Sequence, residues 1–69
     1  MQEVILKNMI LNKRFLIESD DLIIQGIKQK NNYLLIVNNL KKKVLHEKLI
    51  PLNRNLMVLK FLLMIDIKK

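Results

Sequence analysis

The run Tyr33-Leu34-Leu35-Ile36-Val37 constrains this chain more than any other feature: five apolar residues in succession, bounded by asparagine pairs at 31–32 and 38–39. It reads as a strand, and its lack of alternation implies that both of its faces are covered. In a chain of 69 residues such a strand anchors whatever core the chain can build. A domain this small buries only about 60% of the surface its unfolded chain exposes, so its own core leaves it marginal. Neither a disulfide framework nor a thiolate metal site can reinforce it, because there is no cysteine, and the single His46 makes no metal site without carboxylate help. The natural reinforcement is a partner.

Elements on either side of the strand follow from pattern and capping chemistry. In "EVILKNMILNKR", Ile5 and Met9, and Leu6 and Ile10, are spaced four apart, which predicts a helix over Glu3–Lys13. "FLI" is a short apolar step, and "ESDD" is a polar turn. The segment 21–29 is ambiguous. Ser19 as a cap, with Asp20 and Asp21 at one pole and Lys28 and Lys30 at the other, suits a helix. Three isoleucines and Gly26 suit a strand, and the reading leans to the strand, with "QKNN" as a hairpin loop. After Asn39, "LKKKVLHEKLI" wraps as a helix, with Leu40, Val44, Leu45 and Leu49 on one half and Lys42, Lys43, His46 and Glu47 on the other. Pro51 ends it. "LNRN" is a loop, and the tail from Leu56 is left open between strand and helix. The expected fold is a small single α+β domain over 1–69: an N-terminal helix, a three- to four-stranded sheet with a β-hairpin, and a lysine-rich helix packed on one face.

Thirteen Lys and Arg against six Asp and Glu give a formal net charge of +7, so a polyanion is the expected partner. Ala and Thr are absent while Leu, Ile, Lys and Asn dominate. That composition points to AT-rich codons and lowers the weight of lysine as a chemical signal. One glycine excludes the phosphate-cradling P-loop and the dinucleotide fingerprint. Ser19 reads as a cap and His46 as a solvated histidine rather than as nucleophile and base, and the adjacent Asp20 and Asp21 read as a turn rather than as an acid/base pair. Hence no enzyme, cofactor or small-molecule substrate is expected. No secretory signal is evident at the start, and the apolar run "LMVLKFLLMI" is far shorter than the ~20 residues of a spanning helix. The candidate RNA-binding residues are Lys13, Arg14, Lys28, Lys30, Lys41, Lys42, Lys43 and Arg54, with Lys68 and Lys69 as a further basic pair. Each lies at an element end or in a loop, where a side chain reaches phosphate without disturbing packing. The competing reading is a solvated charged face. Phe15, Tyr33 and Phe61 are too few and too apolar in setting for base stacking, so structured RNA gripped by its backbone is expected.

The stretches "YLLIV" and "KKKVLHEKLIP" carry a resemblance. Together they look like the tyrosine-led apolar strand and the lysine-rich helix ending in Leu-Pro of the small eukaryotic large-subunit ribosomal protein family numbered thirty-eight, over roughly residues 3–60. "LIIQGIK" stands where that family has alternating basic residues, and "FLLMIDIKK" runs past its usual end. A second resemblance, of "FLIESDDLIIQGIKQKNNYLLIVNN" to the kink-turn RNA-binding ribosomal protein family, implies that Leu22–Lys28 is helical, but lacks that family's Gly-Asn pair. Both imply a partner of ribosomal RNA beside neighbouring ribosomal proteins. The function expected is therefore that of a non-enzymatic structural constituent of a cytoplasmic large ribosomal subunit. The alternative is a membrane-surface or protein-interaction module using the apolar tail.

Overall fold

A computed structural model describes residues 1–67. The chain runs α1 (Gln2–Leu11), β1 (Arg14–Ser19), β2 (Leu22–Gln29), β3 (Asn32–Asn39), β4 (Val44–Pro51) and α2 (Asn55–Met64). The four strands form one antiparallel sheet in chain order, β1-β2-β3-β4. It is a small α+β domain with a helix at each end of the chain.

The sheet follows from its hairpins. Ser19 pairs with Leu22 and Gln29 with Asn32, so two-residue loops join β1 to β2 and β2 to β3. Asp20 and Lys30 open these loops with φ of 51° and 53°. Such positive φ matches the strand twist in short hairpins, and aspartate tolerates it better than lysine. One face of the sheet carries Phe15 and Ile17, Ile24 and Gly26, Tyr33, Leu35 and Val37, and Ile50. Ile5 from α1 and Val58, Phe61 and Leu62 from α2 pack on it and complete the core with Ile67. Phe15 and Tyr33 lie tilted against each other, 5.9 Å between ring centroids. At mid-sheet the Phe15 ring covers Gly26, where a Cβ would stand only 2.0 Å from Phe15 Cε1. The glycine is required because the backbone and a ring share that space.

Three expectations change. The predicted helix over Glu3–Lys13 ends at Leu11, because the Lys13 carbonyl is drawn into the sheet and accepts from Lys28 N at 2.8 Å. The lysine-rich helix over Leu40–Ile50 does not form: 40–43 is a turn and 44–51 is the edge strand β4. Asn39 does cap as its sequence suggests, its Oδ1 accepting from Lys42 N at 3.0 Å, but Lys43 at φ 55° closes the turn after four residues. Pairing of β4 to β3 then replaces the helical bonds, and a terminal proline is tolerated at a sheet edge. Leu49, which the helical wheel places on the core, is 48% exposed. Third, β3 has only one face covered by helices. The segment 22–29 is a strand, as the isoleucines suggest, and the open tail is a helix.

The Tyr33 hydroxyl, at the end of β3 where α1 leaves for β1, donates to the carbonyl of Asn12. Burial raises its pKa above the usual value. A raised folded-state pKa means that Tyr33 supports the fold fully below the unfolded value of about 10, and that this support is lost as pH rises through the folded value. Tyr33→Phe is expected to cost about 1–2 kcal/mol at neutral pH through the unpaired carbonyl. It should also flatten the alkaline fall of stability, as checked by circular dichroism melts from pH 7 to 11.

Candidate nucleic-acid interface

The topology sorts the eight candidate basic residues into two groups at opposite ends of the sheet, while Lys7, Lys48 and Lys60 lie within α1, β4 and α2. At one end lie the junction between α1 and β1, the β2–β3 turn and the connection from β4 to α2. There the Leu52 amide donates to the Asn31 carbonyl at 3.0 Å, and the bond between Lys28 and Lys13 ties the first junction to β2. Lys13, Arg14, Lys28, Lys30 and Arg54 all belong to this end, and all five are exposed. A cleft joins the junction to the start of α2, with Asn12, Lys13, Lys28 and Asn55 at its polar side and Leu52 and the apolar side chains Leu6, Met9, Ile10 and Leu11 lining the rest.

Among the described residues no carboxylate shares that end. Glu18, Asp20 and Asp21 close β1 and open β2 at the other end of the sheet, where the Leu40 amide donates to the Asp21 carbonyl at 2.8 Å. Asp66 follows α2 and lines a cleft with Asn39 and Lys42, again at the far end. Glu3 is in the first turn of α1, whose Gln2 side chain donates to the Ile67 carbonyl there. Glu47 lies in mid-strand. Among the described residues five cations therefore share one end with no carboxylate, whereas Lys41, Lys42 and Lys43 share the other end with Glu18, Asp20, Asp21 and Asp66.

Backbone and amide groups add to the basic end. The ten-residue helix α2 starts there with Arg54 as its N-cap, no capping side chain and no acidic residue in its first turn. Its dipole thus reinforces the positive potential. Asn12, Asn31, Asn53 and Asn55 surround the cations and supply donors that suit phosphate and ribose oxygens. The charge clusters in the sequence mark Asn31 alone of these; Asn12 caps the end of α1, Asn53 lies in the β4–α2 connection and Asn55 opens α2, and only the fold reveals that they meet. No aromatic ring is exposed at this end, since Phe15 and Tyr33 are core residues. What the site can do is hold several phosphates by charge and hydrogen bonds, with no base stacked on it.

The eight candidate residues are thus divided: Lys13, Arg14, Lys28, Lys30 and Arg54 come together, and Lys41, Lys42 and Lys43 do not join them. Lys68 and Lys69 lie outside the described residues. The apolar tail buries Val58, Phe61 and Leu62 in the core, with Met57 and Ile65 packed against it, while Leu56, Leu63 and Met64 stay exposed. Among the described residues no helix is long and apolar enough to cross a membrane. Comparison with known proteins yields no matching family, curated protein or solved structure.

Proposed function

We propose that this chain binds structured RNA through the basic end of its sheet, by lysine and arginine contacts to phosphates, and acts as a non-enzymatic structural constituent of the large ribosomal subunit in the cytoplasm. One observation carries the RNA reading: five exposed cations, an uncapped helix N-terminus and four asparagines share one end, while all six carboxylates lie elsewhere. A solvated face that merely keeps the chain soluble has no reason to separate its charges in this way. The lack of any exposed ring or base-reading element there favours backbone contacts, which position a protein without reading sequence.

The ribosome enters through the sequence resemblances, and the fold narrows what they contribute. A turn and a strand stand where the first requires a lysine-rich helix, and β2 stands where the second requires a helix. The tyrosine-led strand remains. Sedimentation of cell extract containing the tagged chain separates the alternatives. Co-migration with large subunits, released by high salt, is expected; recovery only in the light fractions or in the membrane pellet would overturn the ribosomal assignment.

A further inference from the structure

The sheet has a second face that the helices do not touch. Across it the register sets three full rows: Arg14-Ile27-Leu34-Leu49, Leu16-Gln25-Ile36-Glu47 and Glu18-Ile23-Asn38-Leu45. Seven of the twelve residues are aliphatic. Leu16 and Leu45 are each 57% exposed and Leu49 is 48% exposed. An antiparallel sheet with one solvated face normally alternates apolar with polar, and β3 does not. The face also carries a single cation, Arg14, which it shares with the basic end.

We infer that this face is a dimer interface, occupied by the same face of a second copy of the chain in a two-fold arrangement whose axis runs perpendicular to the strands. Two arguments select a second copy. First, two bodies of net charge +7 can approach only where each is locally uncharged or acidic. This face, with Arg14 against Glu18 and Glu47, carries one net negative charge. Second, the face is self-complementary in that orientation. Each β1 runs over the other β1 in the opposite sense, so Arg14 of one copy meets Glu18 of the other, twice. Leu16, Gln25 and Ile36 meet their own counterparts, Ile23 meets Ile27 and Leu45 meets Leu49, while Leu34 meets Asn38. Glu47 meets Glu47 only at the outer edge, in water. An axis along the strands would instead set Arg14 on Leu49 and Glu18 on Leu45, leaving charges on leucines.

Sheets packed face to face in this way lie about 10 Å apart. Four strands spaced about 4.8 Å apart and roughly 20 Å long give a footprint of about 400 Å², well under the ~800 Å² per partner of a standard interface. The dimer is therefore weak and concentration-dependent.

Sedimentation equilibrium of the whole chain over a hundredfold concentration range tests it. The mass should rise from 8.2 kDa toward twice that value. Leu16→Lys, at an exposed position that cannot unfold the domain, and Ile36→Lys should each keep the chain monomeric with a wild-type circular dichroism spectrum. Arg14→Glu should weaken association by about tenfold or more, since it faces Glu18 with a like charge, and adding Glu18→Arg should restore it. A single 8.2 kDa species at every concentration, a dimer indifferent to Leu16→Lys, or pelleting with anionic lipid vesicles in place of self-association would each overturn the inference.

Discussion

Replacing Gly26 with alanine is expected to destabilise the domain by about 3 kcal/mol. The added methyl would lie 2.0 Å from Phe15 Cε1 and 2.5 Å from Cζ, so the ring has to leave. Phe15 is 8% exposed, and moving it out forfeits much of the ~2–3 kcal/mol its burial contributes, with further strain from the crowded core. Whole-domain stability for a chain of this length is roughly 3–10 kcal/mol. Loss on this scale brings the protein to the edge of unfolding at room temperature. Urea denaturation checks it, and a double-mutant cycle assigns the cause. In a Phe15→Leu background the same glycine substitution should cost less than about 1 kcal/mol, because the shorter side chain leaves room for the methyl. Equal costs in both backgrounds would show that the ring is not what the glycine accommodates.

Neutralising the basic end should have the largest effect on binding. With Lys13, Lys28 and Lys30 changed to glutamine and Arg14 and Arg54 likewise, about five phosphate contacts disappear, and affinity for a structured RNA at ~50 mM salt should fall by at least ~100-fold. Changing Lys41, Lys42 and Lys43 to glutamine removes charges that already stand near Asp20, Asp21 and Asp66, and should cost under about tenfold. The fold should survive both sets, since exposed charges contribute little to stability. Titrations of a fluorescent RNA hairpin with both variants, each checked by circular dichroism, give the comparison. Similar losses from the two sets would place the interface elsewhere or spread it over the surface.

The parts of this fold legible in the sequence are those where one local signal outweighs the rest. The helix at α1 has paired apolar spacing; β3 has an unbroken apolar run, and the isoleucines of β2 override the polar caps around them. The stretch 40–51 misleads for a physical reason. Asn39 accepts from Lys42 N in the turn it opens, so the start signal is real, but continuation depends on whether the free edge of β3 can be paired, which no local pattern states. Val44, Leu45 and Leu49 fit a helical stripe and equally the two faces of an edge strand, where Ile50 is the one residue buried. The same ambiguity hides the open face. Apolar residues on both sides of β3 are visible in "YLLIV", while the side that the helices leave bare depends on the register with β2 and β4. Each candidate cation was visible because lysine and arginine are conspicuous. Their division into an uncompensated end and a compensated one was not, since it depends on which loops the antiparallel meander brings together.

The central claim is that the basic end holds RNA by its phosphates, and the salt dependence of wild-type binding to a structured RNA tests it most directly. Five neutralised phosphates on a double-stranded segment predict a slope of log affinity against log salt of about −4 to −5, or roughly a 500-fold loss between 50 and 200 mM salt. The variant lacking the five cations should show a much shallower slope. A wild-type affinity flat over that range, or a slope unchanged when Lys13, Arg14, Lys28, Lys30 and Arg54 are neutralised, would contradict the account.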